Sequence, residues 1–167
     1  MIVETVIEEP GWARALPDLE EVAETAARAA IAGAGRDPSA WTLCLLACSD
    51  DRIRALNASF RHKGRATNVL SWPAFDPLPE DAPGAPRHLG DVALALGTVR
   101  AEAEAADTPL KAHALHLILH AVLHLMGYDH ETADEAAEME GLESRILTGM
   151  GIADPYNRGE AQPALPD

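Results

Sequence analysis

The spacing of apolar residues along the chain predicts alternating strands and helices. Short apolar or β-branched runs predict four strands, at about 2–7, 41–48, 67–72 and 89–96. Segments in which apolar residues recur every three or four positions predict helices at about 17–32, 50–63, 98–106, 109–126 and 132–146. We therefore predict an α+β fold in which about five helices pack on a small, mixed, four-stranded sheet.

The helix predicted at 109–126 differs from the others because apolar residues cover almost all of its faces. Thr108 is a suitable N-cap, Pro109 suits the first helical position, and Gly127 suits the residue that follows the helix. Lys111 is the one charged residue within it. A helix that is apolar on all sides is normally buried. The sequence therefore predicts that this helix lies at the centre of the fold.

The last predicted helix combines an apolar stripe with many acidic residues. Thr132 and Glu135 have the spacing of a capping box at its N-terminus. Its inward-facing stripe consists of Ala136, Met139, Leu142 and Ile146. We interpret the acidic residues as a solvated outer face; they are Glu131, Asp134, Glu135, Glu138, Glu140 and Glu143.

Length and composition fit one soluble globular domain. The chain has 167 residues, of which 47% are hydrophobic and 24% charged. We predict this domain at residues 1–150 and a flexible C-terminal tail at 151–167. The N-terminus is acidic and no long apolar run occurs, so we expect a cytoplasmic protein with no membrane partner. Five prolines between 73 and 88 predict a loop, either functional or a tolerated surface insertion.

The charge distribution limits which nucleic acids the protein could bind. A net charge of −14 argues against a general nucleic-acid binder, and no DNA partner is expected. The segment from Arg52 to Leu70 nevertheless contains four arginines and one lysine and no acidic residue. Such a local basic segment can still bind a phosphate backbone.

The two cysteines, Cys44 and Cys48, lie in the apolar run at 41–48. On a strand they would share a face at a separation of about 13 Å, which is beyond the reach of a disulfide. We predict two buried thiols, with a C-x3-C metal pair as the lesser alternative.

Five of the seven histidines lie between His113 and His130. His120 and His124 are four residues apart, so they project from one face of the helix. Gly127 allows the chain to reverse, which would bring His130 beneath the same face. Three neutral imidazoles with an open fourth position make a catalytic zinc site, and such an ion lowers the pKa of bound water towards about 7. We predict one Zn²⁺ ion, or another divalent transition metal, at these three ligands.

Two further histidines, His113 and His116, precede the three on the same helix. His116 is the rival ligand, but it lies about 12 Å from His124 along the helix axis, too far to share a tetrahedral ion. We interpret His113 and His116 as packed residues, with a role beside the ligands or the substrate as the alternative. Asp129 is a candidate acceptor for a ligand imidazole, and Asp91 is a candidate for the wall of the cleft.

The spacing of the three ligands also occurs in metzincin proteases. Those enzymes carry a glutamate at the position that Ala121 occupies here, and the glutamate acts as the general base. A methyl group cannot accept a proton from water. The sequence therefore disfavours a metallopeptidase, which is kept as an alternative hydrolase.

Three segments resemble motifs of the YbeY family of bacterial ribosomal-RNA maturation factors: HLILHAVLHLMGYDH, FRHKGRATNVLSWP and HLGDVALA. The resemblance covers about residues 40–147. This chain has Ala121, Gly64 and Ala66 where the family usually has glycine, aspartate and proline. The resemblance implies a zincin-like fold and a metal-dependent endoribonuclease specific for single strands. It also implies a function in ribosomal-RNA maturation, notably at the 3′ end of the small-subunit RNA, and in ribosome quality control.

The resemblance adds one site residue and a set of partners. Arg61 matches the family's invariant arginine, and a cation there would stabilise charge developing on the phosphate oxygens. The predicted catalytic residues are thus Arg61, His120 and His124. The predicted partners are single-stranded RNA, ribosomal RNA, and the small ribosomal subunit with its proteins. The attacking group stays open between water and a ribose 2′-hydroxyl, and a non-catalytic ribosome assembly factor with a structural metal is the other alternative.

Overall fold

The computed structural model describes residues 2–61 and 67–156, apart from the side chains of Phe60 and Arg61. Within these residues the chain forms a four-stranded sheet, six α-helices and one short 3₁₀ helix. The predicted α+β class and four-stranded mixed sheet are confirmed. The additional helix, at Gly11–Ala15, was not predicted because one turn of helix is too short to show a period.

The strands are β1 (Val3–Ile7), β2 (Trp41–Cys48), β3 (Val69–Pro73) and β4 (Arg87–Ala95). They lie in the order β1-β2-β4-β3, with β1/β2 and β2/β4 parallel and β3/β4 antiparallel. The helices are α1 (Gly11–Ala15), α2 (Leu19–Gly33), α3 (Asp50–Arg61), α4 (Leu96–Ala105), α5 (Leu110–Leu125) and α6 (Ala133–Gly149), with the 3₁₀ helix at Pro38–Ala40. None of the helices in the described part of the chain is long and apolar enough to cross a membrane.

The two faces of the sheet have different coverings. The inner face, which carries Leu43, Leu45, Val92 and Leu94, packs against α2 and α5 in the main core. The outer face carries Cys48, Leu70 and Ala93, which form a smaller cluster with Ile53 of α3. Because side chains alternate along a strand, each strand contributes to both faces.

Helix α5 is buried along nearly its whole length, as its uniform apolar character predicted. Eleven of its sixteen residues are buried. The helix begins at Leu110 with Pro109 as its N-cap, and the predicted cap, Thr108, instead donates its hydroxyl to the carbonyl of Ala106 at 3.3 Å. At the other end Gly127 has a φ of +104°, which lets the chain reverse after the helix.

The proline-rich loop between β3 and β4 is fastened to the rest of the protein through Asp81. One carboxylate oxygen accepts hydrogen bonds from Arg36 Nε at 2.9 Å and Trp41 Nε1 at 3.0 Å, and the other accepts from the backbone N–H of Asp37 at 2.8 Å. The guanidinium of Arg87 lies 4.8 Å from the centre of the Trp41 ring. These contacts fix the loop against the start of β2.

The C-terminal segment is described as far as Tyr156. Ser144 Oγ donates to Asp154 Oδ1 at 2.8 Å, and the Tyr156 hydroxyl donates to Glu143 Oε1 at 2.9 Å. The beginning of the predicted tail therefore lies against α6. Residues 157–167 are outside the described part of the chain, and their flexibility stays a prediction.

A β-bulge interrupts the pairing of β2 with β4. Thr42 pairs with His88 and Leu43 pairs with Gly90, so Leu89 is an extra residue in β4. Gly90 has a φ of +155°. A Cβ atom at this position would lie 2.4 Å from the carbonyl oxygen of Trp72 and 2.7 Å from Leu125 Cδ2. Only glycine therefore fits between β3 and α5 here.

We expect Gly90→Ala to lower the free energy of unfolding by about 3 kcal/mol, because backbone strain adds to overpacking. Urea denaturation measures the change. Gly149→Ala is the matched control, since nothing lies within 4 Å of a Cβ at that glycine. Equal midpoints for the two variants would contradict the expectation.

Candidate metal centre

The structure brings His120, His124 and His130 together at the C-terminal end of α5. The ring centres of His120 and His124 lie 4.7 Å apart, because one turn of helix separates them. After the turn at Gly127, the ring of His130 lies 5.0 Å from that of His124 and 5.6 Å from that of His120. One nitrogen from each ring lies within 4.8 Å of the other two. A helix pair and one residue beyond a glycine turn therefore converge on one point.

The three rings fit a metal ion. Their Nε2 atoms are all buried, and among the described residues none has a hydrogen-bond partner. A buried polar atom without a partner costs about 1–3 kcal/mol, so three adjacent ones favour a shared ligand such as a metal ion. Burial, reinforced by the neighbouring rings, lowers the pKa of His124 to about 4. This imidazole is therefore neutral near pH 7, with a lone pair available for coordination.

A buried glutamate on α6 supports this arrangement. Glu143 is 0% exposed, and its carboxylate accepts hydrogen bonds from His116 Nε2 at 2.7 Å, His120 Nδ1 at 3.0 Å and the Tyr156 hydroxyl at 2.9 Å. The prediction that all acidic residues of α6 form a solvated face was wrong for Glu143. A sequence signal did exist: Glu143 lies four residues after Met139, on the inner stripe of the helix.

Glu143 determines which nitrogen of His120 carries the proton. Because His120 Nδ1 donates to the carboxylate, the lone pair of that ring is on Nε2, which points to the other two histidines. Burial by itself raises the pKa of Glu143, but hydrogen bonds from His116 and His120 outweigh it and lower the pKa to about 2. Its hydrogen-bonding capacity is directed to three donors, so this carboxylate holds the His120 ring in a fixed orientation.

The two other histidines of α5 have hydrogen-bonded carboxylate partners. His116 is buried, bonded to Glu143 and in contact with the Tyr156 ring, with the ring centres 5.6 Å apart. His113 Nε2 lies 3.0 Å from Glu102 Oε1, which also accepts from the side-chain amide of Asn68. Both are packed residues, as interpreted from the sequence, and His116 additionally belongs to the support of the centre.

The remaining predicted site residues lie in different places. Asp129 accepts the backbone N–H of His130 at 2.8 Å, so its hydrogen bond is to the main chain that carries the third histidine. Asp91 pairs in register with Cys44, and both side chains lie on the outer face of the sheet. Helix α5 packs on the inner face, so Asp91 is not part of the wall of this centre. Arg61 is the last residue of α3, and its side chain is outside the described part of the structure.

We expect the free energy of unfolding of the metal-free protein to fall as the pH is lowered from 6.5 to about 4. Unfolded His124 takes up a proton near its ordinary pKa of 6.5, whereas folded His124 resists protonation down to about pH 4. The unfolded state therefore binds more protons in this window and is stabilised on acidification. Urea midpoints across the window measure the slope, which should be smaller in His124→Ala; an unchanged slope in that variant would contradict the assignment.

Comparison with known proteins places the chain in a family. The model of the family described as Endoribonuclease YbeY matches residues 12–151. The chain belongs to the YbeY family. Endoribonuclease YbeY of Ruegeria pomeroyi is 46% identical over 166 residues, covering 93% of this chain and 98% of the relative. The YbeY protein of Azorhizobium caulinodans is 48% identical over 157 residues, covering 93% and 96% of the two chains.

A solved structure supports the fold. The solution structure of the Thermotoga maritima protein TM1509 aligns with a TM-score of 0.51 at 22% identity, covering 93% of this chain and 99% of that one. Membership of the YbeY family confirms the resemblance recognised from the three motifs. The predicted enzyme class, a hydrolase that cleaves phosphodiester bonds in RNA, agrees with the family's name.

Proposed function

We propose that this protein is a metal-dependent endoribonuclease that cleaves single-stranded RNA during the maturation of ribosomal RNA, notably at the 3′ end of the small-subunit RNA. One observation carries the proposal: in a chain of the YbeY family, three buried imidazole nitrogens without other partners converge on one point. The relatives that match over most of the chain are named endoribonucleases. The metallopeptidase alternative finds no support, since Ala121 is buried in α5 and offers no base.

We propose Zn²⁺ as the bound ion. Three neutral imidazoles and an open fourth position suit zinc, with other divalent transition metals as weaker candidates. His120, His124 and His130 would hold the ion, which would supply Lewis acidity at the phosphate and make bound water more acidic. Glu143 prepares the site beforehand, because it keeps the proton of His120 on Nδ1 and the ring in a fixed orientation.

Arg61 is the residue that we propose contacts the phosphate. The net charge of −14 repels a polyanion, so substrate binding requires local positive charge. The segment from Arg52 to Arg65 can supply this positive charge, because it contains five basic residues and no acidic one. A guanidinium can form two parallel hydrogen bonds to phosphate oxygens and stabilise the charge that develops on them.

The compartment and the partners of the protein are proposed from its membership of the YbeY family. We propose that the protein acts in the cytoplasm on ribosomal RNA, with the small ribosomal subunit and its proteins as partners. We also propose that the domain predicted at residues 1–150 carries the chemistry. Tyr156 lies in the segment that follows this domain, and its hydroxyl helps to hold Glu143 in place through a hydrogen bond.

Incubation of the metal-loaded protein with a single-stranded RNA, and with the same sequence as a duplex, tests this function. We expect cleavage of the single strand, and Arg61→Ala should reduce its rate about 100-fold without changing the metal content. Arg28→Ala is the control, because Arg28 lies on α2, outside the basic segment, and pairs with Glu24 at 2.6 Å. Wild-type rates in Arg61→Ala would refute the role of Arg61. If the metal-loaded wild-type protein leaves RNA intact, the non-catalytic assembly factor becomes the better assignment.

A further inference from the structure

A second group of metal-ligating side chains lies on the outer face of the sheet. It consists of Glu4 on β1, Cys44 on β2, and His88 and Asp91 on β4. Glu4 pairs in register with Cys44, and Cys44 pairs in register with Asp91. The neighbouring strands β1, β2 and β4 therefore present Glu4, Cys44 and Asp91 in one row. The row lies on the opposite face of the sheet from α5, so it is separate from the three-histidine centre.

The β-bulge of β4 brings His88 to this row. Thr42 of β2 pairs with His88 of β4, and Cys44 pairs with Asp91. The two β2 residues are two positions apart, whereas the two β4 residues are three positions apart because of the bulge. Without the extra residue, alternation along the strand would turn His88 towards the inner face. With it, His88 and Asp91 share the outer face, and His88 Nε2 lies 3.2 Å from Asp91 Oδ1. Bulges of this kind commonly re-aim a side chain at a functional site.

Three of the four side chains lie at distances that suit a single ion, and Glu4 lies beside one of them, Cys44. One ligand atom from each of Cys44, His88 and Asp91 lies within 4.8 Å of the other two, and Cys44 Sγ lies 3.6 Å from Glu4 Oε2. Adjacent ligand atoms of a tetrahedral zinc ion lie roughly 3.3–3.7 Å apart. The side chains of His88 and Asp91 are 44% and 56% exposed, so they are free to close the remaining gap.

We propose that Glu4, Cys44, His88 and Asp91 form a second metal site, which takes a borderline-soft divalent ion such as Zn²⁺ and links β1, β2 and β4. One thiolate, one imidazole and two carboxylates select zinc-like ions over Mg²⁺ and Ca²⁺, which prefer oxygen ligands alone. The proposal does not depend on the ribonuclease function, because the two sites share no residue.

The electrostatics of the row favour a cation. Burial raises the pKa of the Cys44 thiol, and the carboxylates of Asp91 and Glu4 raise it further. The thiol is therefore protonated in the metal-free protein. A dipositive ion would reverse this balance: it would attract both carboxylates, and the thiol proton would be released to solvent as the metal–sulfur bond forms.

Titration of the metal-free protein with Co²⁺, under reducing conditions, tests the site. A thiolate bound to Co²⁺ gives a near-ultraviolet charge-transfer band, which three imidazoles cannot give. We expect this band in the wild type and in His124→Ala, and we expect its loss in Cys44→Ser. Cys48→Ala is the matched control and should keep the band, because Cys48 is fully buried near α3. A folded wild-type protein without the band, or an unchanged band in Cys44→Ser, would overturn the proposal.

A zinc count after dialysis gives an independent measurement. We expect two ions per chain in the wild type and one in each of Cys44→Ser, His88→Ala and His124→Ala. His88 is exposed, so His88→Ala provides a folded variant if Cys44→Ser does not fold. A single ion in the wild type that survives both outer-face substitutions would also overturn the proposal.

Discussion

Replacing His124 with alanine is expected to remove one metal ion per chain and to reduce RNA cleavage about a thousandfold or more. His124 is the middle member of the three rings, with its ring centre 4.7 Å and 5.0 Å from those of the other two. Catalytic zinc sites have three protein ligands, so we expect the two remaining imidazoles to bind the ion much more weakly. The loss of metal removes several kcal/mol of transition-state stabilisation, which corresponds to roughly three orders of magnitude in rate.

Elemental analysis and single-turnover cleavage of a single-stranded RNA measure the two effects on the same preparation. His113→Ala is the matched control, because His113 lies on the same helix but bonds to Glu102 and not to the ring cluster. It should keep its metal and most of its activity. Full metal content together with wild-type cleavage in His124→Ala would remove the basis of the proposed chemistry.

Replacing Glu143 with alanine should have the largest effect on stability. The substitution leaves the N–H groups of His116 and His120 and the hydroxyl of Tyr156 without their shared acceptor in a fully buried position. Removing one partner of a buried charged network costs about 3–5 kcal/mol. Losing the acceptor that orients a metal-bound imidazole also weakens metal affinity about 10- to 100-fold.

Urea denaturation of the metal-free protein and competition with a chelator measure these two losses separately. Glu143→Gln keeps the volume and one acceptor oxygen, so it should recover part of the stability while the metal affinity stays low. Glu138→Ala is the control, since Glu138 is exposed on the same helix and should change stability by no more than about 0.5 kcal/mol. A midpoint for Glu143→Ala equal to that of Glu138→Ala would show that the network contributes nothing.

The features that the sequence predicted depend on neighbours along the chain. Helix α5 was predicted because its apolar surface and the glycine after it are local signals, and the structure has both. The meeting of His120, His124 and His130 follows from the helical period and one turn. The capping box of Thr132 and Glu135 is likewise local, and both of its hydrogen bonds are present at 3.1 Å.

The features that the sequence did not predict depend on contacts between distant segments. Glutamate is normally a surface residue, and although Glu143 lies on the inner stripe of α6, the two histidines that α5 places against it cannot be read from that stripe. The start of α4 at Leu96, two residues before the predicted cap, reflects Asp50 of α3, which accepts the backbone N–H of Thr98 at 2.9 Å. The placement of His88 on the outer face required the bulge, which no pattern of apolar residues reveals.

The hydrogen bond from Tyr156 to Glu143 connects the segment after the last helix to the histidine cluster, so shortening the chain in this segment should affect that cluster. Glu143 accepts a hydrogen bond from His120, so the phenol is two hydrogen bonds from the cluster of three histidines although it follows the last helix. Burial, with the nearby Glu143 carboxylate, raises the pKa of Tyr156, so the phenol keeps its proton and remains a donor in alkaline solution. Truncation before Tyr156 would thus remove one of the three donors that hold Glu143 beside the histidine cluster, whereas truncation after it would keep that contact.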